Sequence, residues 1–391
     1  MTIKSIRNAK SLTGKKVLLR ADFNVSIKAG RIKDDYKIVA TLPTIRFLLR
    51  HKARIIIMTH LDVNKSLPEK NKLSTKLIAV RLSRLLGKKV NYLGACLGPE
   101  VSRAVARMEP GEIVLLENLR SCQEEVANDK KFAKALAGLA DIYVNDGFAV
   151  SHRNHASLNA IKKYIDAYAG LLLEKEVINL HKILRPAQPL IAIIGGSKMA
   201  TKIRLIKNLA KRSSKILIGG ALANNFIAAH GFKIGKSLAD QSSISLARAL
   251  VKKYKNIILP VDVIVASKAL RPNAIVKEVN RVDKNDIILD IGPKTIRLYS
   301  HFLNQAATII WNGPVGKFEE PAFKHGTSAV ARIIAARATG PAFAAVGGKE
   351  TIEALKMVKM IDYIDWVSTG GGAMLAYLGG EKMPGLKGIV K

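Results

Sequence analysis

The sequence predicts an α/β protein of two domains, each built on a parallel sheet, and three observations carry that prediction. Apolar runs that read as buried strands alternate with amphipathic helical stretches, which is βαβ organisation and hence a parallel sheet covered on both faces. Five runs in the second half end in a glycine turn: IAIIGGSK (191–198), ILIGGALANNF (216–226), IIWNGPVGKFE (309–319), AFAAVGGKE (342–350) and WVSTGGGA (366–373). Finally, 391 residues are too many for one compact core of ordinary size.

Along the first half, KKVLLRADFNV (15–25), ARIIIMTHLDV (53–63), EIVLLENLRS (112–121) and DIYVNDGFAV (141–150) read as buried strands running into polar ends. Helical spacing of Ile38, Leu42, Ile45, Leu48 and Leu49 predicts a helix over Lys37–Arg50, with Asp34 and Asp35 as capping candidates; Lys76–Leu86 reads the same way. An amphipathic helix followed by two prolines marks the boundary near 165–190. Beyond it NIILPVDVIVA (256–266) and DIILDIGPKT (286–295) are read as further strands repeating the same architecture. The tail EKMPGLKGIVK is expected to pack back across the domain junction.

Composition narrows the class. The chain has no run of about 18 or more apolar residues, and its first residues lack the apolar stretch of a signal peptide, so the expectation is a cytoplasmic protein with no membrane partner. Cys96 and Cys122 are isolated from each other and from any His/Cys cluster, which argues against a disulfide framework and a zinc site and leaves two free thiols. The net charge of +34, from 64 Lys and Arg against 30 Asp and Glu, is spread along the whole chain. With no arginine-rich block and few aromatics, it predicts loose polyanion adhesion and no specific nucleic-acid partner.

The strand ends of the two halves differ in kind. In the first half they carry Arg20, Asp22, Phe23, Asn24, His60, Arg120 and the loop Ser151 to His155 with Arg153. If those strands are neighbours, the arginines and imidazoles converge on a cationic pocket for a small phosphorylated or carboxylated ligand; each arginine alone is equally compatible with a local ion pair. His152 and His155 have half the spacing of a zinc motif but no third ligand. In the second half the ends carry glycine and lysine. If Ser197 opens a helix, Lys198 and Lys202 share one face over its N-terminus, where two cations can hold a chain of phosphates; a solvated lysine pair is the alternative. Gly235-Lys236-Ser237 has His230 where the first glycine of a Walker A loop belongs, so it is set aside. One half suited to a small anion and the other to a nucleotide is the layout of a two-domain phosphotransferase that closes across a cleft.

The motifs RADFNV, KIVATLPTI, VLLENLR, NDGFAVSHRNHAS, LLLEKE, IIGGSKMATK, LPVDV, DIGPKT, WNGPVGKFE and VSTGGGA resemble the phosphoglycerate kinase family in order and spacing over nearly the whole chain, with a lysine motif closer to bacterial members. The resemblance implies two Rossmann-like domains joined by a helical hinge: 1–168 for phosphoglycerate, 169–188 as hinge, 189–373 for nucleotide, and 374–391 as the returning tail. It implies a monomer that transfers a phosphoryl group reversibly between 1,3-bisphosphoglycerate and Mg-ADP, giving 3-phosphoglycerate and ATP, with Mg²⁺ brought by the nucleotide. Carried over by position, Arg20, Asp22, Phe23, Asn24, Lys37, His60, Arg120 and Arg153 are the phosphoglycerate residues. Gly196, Lys198, Lys202, Gly220, Gly292, Asn312, Glu319, Gly347, Gly348, Lys349, Glu350 and Thr351 are the nucleotide residues, Glu350 serving the metal through the nucleotide. Lys202, Lys37, Gly371 and Gly372 are the groups expected at the transferring phosphoryl.

The departures fall on chemistry. Lys37 stands where the family has arginine, and His60-Leu61-Asp62-Val63-Asn64 replaces His-Leu-Gly-Arg-Pro. Gly347-Gly348-Lys349-Glu350-Thr351 replaces Gly-Gly-Gly-Asp-Thr, and Ala149-Val150 replaces Gly-Thr. Lys37 keeps charge without the bidentate fork, Val63 removes a charge unless Lys65 reaches in, and Glu350 keeps the carboxylate on a longer arm. The alternative reading is a binding protein of the same fold with weak or no turnover.

Overall fold

The computed structural model describes residues 1–28, 30–62, 73–267 and 274–391, so the expectations at Val63, Asn64 and Lys65 lie outside the described residues. The chain forms two compact units, Met1–Val177 with Lys382–Lys391, and Ile178–Glu381. The helix Leu171–Leu184 contains the point where the chain passes from the first to the second.

The strands of the first unit are β1 (Lys16–Arg20), the small hairpin β2 (Ile27–Lys28) and β3 (Arg31–Ile32), β4 (Arg54–Met58), β5 (Val90–Tyr92), β6 (Ile113–Leu115), β7 (Ile142–Asn145) and β8 (Ala167–Ala169). Apart from the hairpin they make one parallel sheet in the order β5-β6-β4-β1-β7-β8. Alternation sorts the side chains to two cores: Val17, Leu19, Ile55 and Ile57 pack on one face, Leu18, Ile56, Met58 and Tyr143 on the other. The helix Tyr36–Arg50 covers the first face with Ile38, Leu42, Ile45 and Leu48, as its spacing predicts. The tail belongs to this unit too: Thr2 N donates to Lys391 O (2.7 Å), Lys4 N to Ile389 O (2.8 Å) and Gly385 N to Ser151 O (2.8 Å).

In the second unit the strands are β9 (Leu190–Ile194), β10 (Lys215–Ile218), β11 (Ile257–Ile258), β12 (Asp262–Ser267), β13 (Ala274–Glu278), β14 (Asp286–Ile291), β15 (Thr308–Asn312), β16 (Phe343–Gly347) and β17 (Trp366–Ser368). Six form a parallel sheet in the order β11-β10-β9-β15-β16-β17. Every residue of β9 and β15 is buried, the pattern of central parallel strands covered on both faces. The α/β class with two parallel sheets is as the sequence predicts. One part of that reading is corrected: 262–267 and 286–291 do not extend the parallel sheet but pair antiparallel in a separate sheet, β13-β12-β14. Apolar composition alone does not distinguish a buried parallel strand from an antiparallel one packed beside it.

Candidate active site

The five glycine turns follow five neighbouring strands, β10-β9-β15-β16-β17, so all of them lie along one edge of the second unit's sheet, beyond the carboxyl ends. A cavity of about 710 Å³ opens there, lined by residues from every one of the turns. The turns are laced to each other. Gly196 N donates to Pro314 O (2.7 Å) and Gly220 N to Val315 O (2.8 Å); Asn312 Nδ2 reaches Gly347 O (2.7 Å), and Gly313 N reaches Thr351 Oγ1 (2.8 Å). At Gly313 a side chain has no room: φ is +95°, and a Cβ would lie 2.4 Å from Gly195 O and 2.5 Å from Lys202 Nζ. Gly313→Ala is therefore expected to cost about 1–3 kcal/mol of stability and to weaken nucleotide binding, measured by thermal melting and ADP titration.

Lys202 is the one buried cation of this edge among the described residues. Its Nζ donates to Gly195 O and to Asn312 O (3.2 Å), inside the knot of turns. Burial draws the ammonium down to about 8, while the Glu350 carboxylate pulls it back upward. The expected helix from Ser197 is not there. The helix Ile203–Leu209 starts later, with Lys202 at its N-cap, and Thr201 Oγ1 closes a turn on Lys198 O (3.0 Å). Lys198 and Lys202 therefore both line the cavity but not as one helical face: Lys198 is exposed while Lys202 is folded inward.

Gly196, Gly220, Asn312, Glu319, Gly348, Lys349, Glu350, Thr351, Gly371 and Gly372 also line the cavity. Glu350 sits in the first turn of the helix Lys349–Met357, and Gly371 caps the helix Gly372–Leu378. Two predicted members do not reach the wall. Gly292 packs against Asp262, whose carboxylate lies 2.4 Å from where a Cβ would be, and precedes the helix Pro293–Asn304. Gly347 is pressed against Met374 Sδ, where a Cβ would lie 2.2 Å away. At both positions the close neighbours leave no room for a side chain. Sequence reasoning missed the apolar side of the cavity, formed by Leu238, Ile288, Leu289 and Leu375. Leu238 is 65% exposed, an apolar surface able to take a flat base; these residues come from separate segments with no local motif.

In the first unit the polar ends follow β6-β4-β1-β7, again four neighbours. Lys37 Nζ donates to Asp22 Oδ2 (2.7 Å). Burial opposes the Asp22 charge, but the Lys37 ammonium, by its charge and its hydrogen bond, and the Asn24 backbone N–H outweigh it and hold the carboxyl below its ordinary range. Arg20 is 1% exposed, and its guanidinium is engaged by Ser157 Oγ (2.9 Å), Ala21 O and His60 Nδ1 (3.3 Å). Because arginine only donates, His60 Nδ1 accepts and its proton is placed on Nε2. Burial first, with Arg20 and Arg120 adding to it against the pull of Asp22, lowers His60 to about 3, so it is a neutral hydrogen-bonding group. The Phe23 ring is fully buried in the core, and its backbone N donates to Thr59 Oγ1 (2.9 Å).

Arg120 rides on the short turn Leu119–Ser121 and is held by Arg120 N to Asn118 Oδ1 (3.0 Å). Its Nη1 donates to Asp62 Oδ1 (2.8 Å), while its buried Nε has no partner. Asp62 also accepts from Asn24 Nδ2 (2.6 Å), and its backbone N donates to Asn24 Oδ1 (3.1 Å). This carboxylate, which the sequence reading noted only as a departure, occupies groups predicted to hold the ligand. Arg153 is exposed beside His155, which burial, then Arg120, Arg20 and Arg153, lowers to about 4. Cations around that imidazole disfavour the zinc reading, and the described residues contain no cluster of three metal-binding side chains. The structure thus brings Asp22, Asn24, Lys37, His60 and Arg120 together with a positive field from Arg153.

The comparisons agree across the whole chain. A family model described as Phosphoglycerate kinase matches residues 6–381. A protein of Moorella thermoacetica named phosphoglycerate kinase is 44% identical, covering 97% of each chain, and one of Dictyoglomus turgidum with the same name is 42% identical, covering 98% of each. The solved phosphoglycerate kinase structure of Coxiella burnetii superposes with a TM-score of 0.87 at 39% identity, covering 99% of this chain and 98% of that one. That of Pyrococcus horikoshii gives 0.86 at 31% identity, covering 98% and 97%.

Proposed function

This chain belongs to the phosphoglycerate kinase family and is a glycolytic kinase, and on that premise we propose how its own residues perform the transfer. The second unit takes ATP or ADP, with the base on the apolar wall of Leu238, Ile288 and Leu289, Glu319 toward the ribose, and the phosphates along Lys198, Lys202 and the glycine turns. The first unit takes 3-phosphoglycerate or 1,3-bisphosphoglycerate on Asn24, His60, Arg120 and Arg153, with Asp22 positioning Lys37. The observation that carries this reading is the cavity at the ends of five neighbouring strands with the buried Lys202 ammonium in its floor.

No general base is required, because the acceptor is already an oxygen anion and the donor a mixed anhydride. The protein aligns the reactants and neutralises charge, Lys202 and Lys37 being the cations that would meet the phosphoryl in flight. Bending about the segment 169–188 would bring the two ligands together and exclude water. Magnesium fits this site as a guest of the nucleotide: Glu350 offers a carboxylate at the cavity wall, and the bound ion would supply charge neutralisation on the phosphates. Cytoplasmic location and a monomeric state belong to the same proposal and rest on the family resemblance.

A binding protein without turnover is not favoured, since the chain matches the family model and proteins named phosphoglycerate kinase over nearly its whole length. Isotope exchange separates the readings. Labelled ADP is expected to exchange into ATP only when phosphoglycerate is present; exchange without it would reveal a phosphoenzyme, and none in either case would contradict turnover.

The lowered Lys202 gives a pH limb with a definite sign. Its charge is present below about pH 8 and lost above it, so kcat/KM for the nucleotide is expected to fall as pH rises through about 8. Lys202→Arg should push that limb out of range; a wild-type profile flat to about pH 10 would contradict the assignment.

A further inference from the structure

Glu125 is a buried carboxylate that the transfer chemistry does not use, 1% exposed on the short helix Gln123–Val126. It holds the loop that follows Arg153: Ala156 N donates to Glu125 O (2.9 Å), Ser157 N to Oε2 (2.8 Å) and Ser157 Oγ to Oε1 (2.6 Å). The same hydroxyl accepts from Arg20 Nε (2.9 Å), and Arg20 Nη2 goes on to His60 Nδ1 (3.3 Å). Four side chains, none more than 2% exposed, thus form one chain of hydrogen bonds from Glu125 through Ser157 and Arg20 to His60.

Each link of this chain has a fixed polarity. A carboxylate only accepts and a guanidinium only donates, so the single Ser157 hydroxyl proton goes to Glu125 and a lone pair is left for Arg20. The guanidinium fork is planar, so seating Nε on Ser157 fixes the plane in which Nη2 meets the imidazole. His60 Nδ1 is thereby held as an acceptor, and the ring's one proton is on Nε2, the donor it can offer a ligand. Burial lowers the Arg20 guanidinium from its ordinary value, and Glu125 is the strongest charge acting the other way.

We propose that Glu125 and Ser157 are positioning residues for phosphoglycerate binding, acting through Arg20 to set the orientation and tautomer of His60. This rests on the reading of His60 as a phosphoglycerate contact. Ser157 is the place to cut the chain, because its backbone is held independently of its hydroxyl: its N donates to Glu125, and Tyr143 Oη donates to Ser157 O (2.8 Å). Ser157→Ala therefore removes the hydroxyl link and leaves the loop of Arg153 docked.

The test uses the full chain and two readouts. Ser157→Ala is expected to raise KM for 3-phosphoglycerate about tenfold with KM for ATP unchanged, the scale of one weakened hydrogen bond to a charged ligand. A purely structural role would lower the melting temperature and leave both KM values as they were. The second readout is the His60 ring proton, followed by nitrogen NMR of selectively labelled histidine, the His60 signals being those missing from His60→Gln. Wild type is expected to carry the proton on Nε2, and Ser157→Ala to spread it over both nitrogens. Glu125→Gln, which leaves one acceptor oxygen for two donors, is expected to move both readouts the same way. A wild-type proton on Nδ1 would overturn the proposal with no variant needed, as would a folded Ser157→Ala with an unaltered KM or an unaltered ring proton. If His60→Gln raises KM for 3-phosphoglycerate while Ser157→Ala and Glu125→Gln leave it, the proposal fails and His60 stands as a contact. If His60→Gln leaves that KM unchanged, the contact assigned to His60 falls with the proposal, while turnover measured in the wild type is untouched.

Discussion

Replacing Lys202 by alanine is expected to lower kcat by at least about 10²-fold while nucleotide still binds, the scale for losing a charge aimed at a transition state. The argument is geometric. Lys202 Nζ is enclosed by Gly195 O and Asn312 O, at the point where the turns after β9 and β15 meet, and burial has already stripped most of its water. An ammonium held this way needs little reorganisation when charge develops on the transferring group. Lys198, exposed on the rim, should by contrast affect KM more than kcat when changed to alanine. Steady-state kinetics with an ADP titration separates the two lysines, and near-normal turnover of Lys202→Ala would sink the assignment.

The second large effect is on the other substrate. Arg120→Ala should raise KM for 3-phosphoglycerate by about 10²-fold, since two charge-assisted hydrogen bonds of about 1.5 kcal/mol each are lost. Asp62 makes this prediction two-sided. Its carboxylate already holds Arg120 Nη1 and Asn24 Nδ2, and so competes with an anionic ligand for both. Asp62→Gly is expected to lower the same KM, by only about two- to fivefold because an exposed ion pair is screened by solvent. Asp62 is 63% exposed, which sets the gain at that scale. Should Asp62→Gly raise KM, the carboxylate would have to be a positioning group and not a competitor.

The parts of the fold written in local pattern were readable from the residues. Buried strands such as Leu190–Ile194 and Thr308–Asn312 are continuous apolar runs, and their glycine turns mark where the backbone must approach something closely. The convergence of Asp22, His60 and Arg120 followed from strand ends that turned out to be neighbours. What could not be read depended on long-range packing. Gly292 and Gly347 look like ligand-binding glycines but are crowded by Asp262 and Met374. Arg20 looks like a ligand arginine, and its guanidinium is engaged by Ser157, Ala21 and His60. The apolar wall of Leu238 and Ile288 and the engagement of Asp62 each join segments far apart in the chain. No periodicity or spacing encodes such contacts.

The most direct measurement of the central claim is a steady-state assay with Mg-ATP and 3-phosphoglycerate, in which formation of the acyl phosphate is followed through reductive trapping of the product. The account predicts turnover that saturates in both substrates and depends on Lys202 in one unit and Arg120 in the other. Nucleotide binding with no acyl phosphate formed would contradict it.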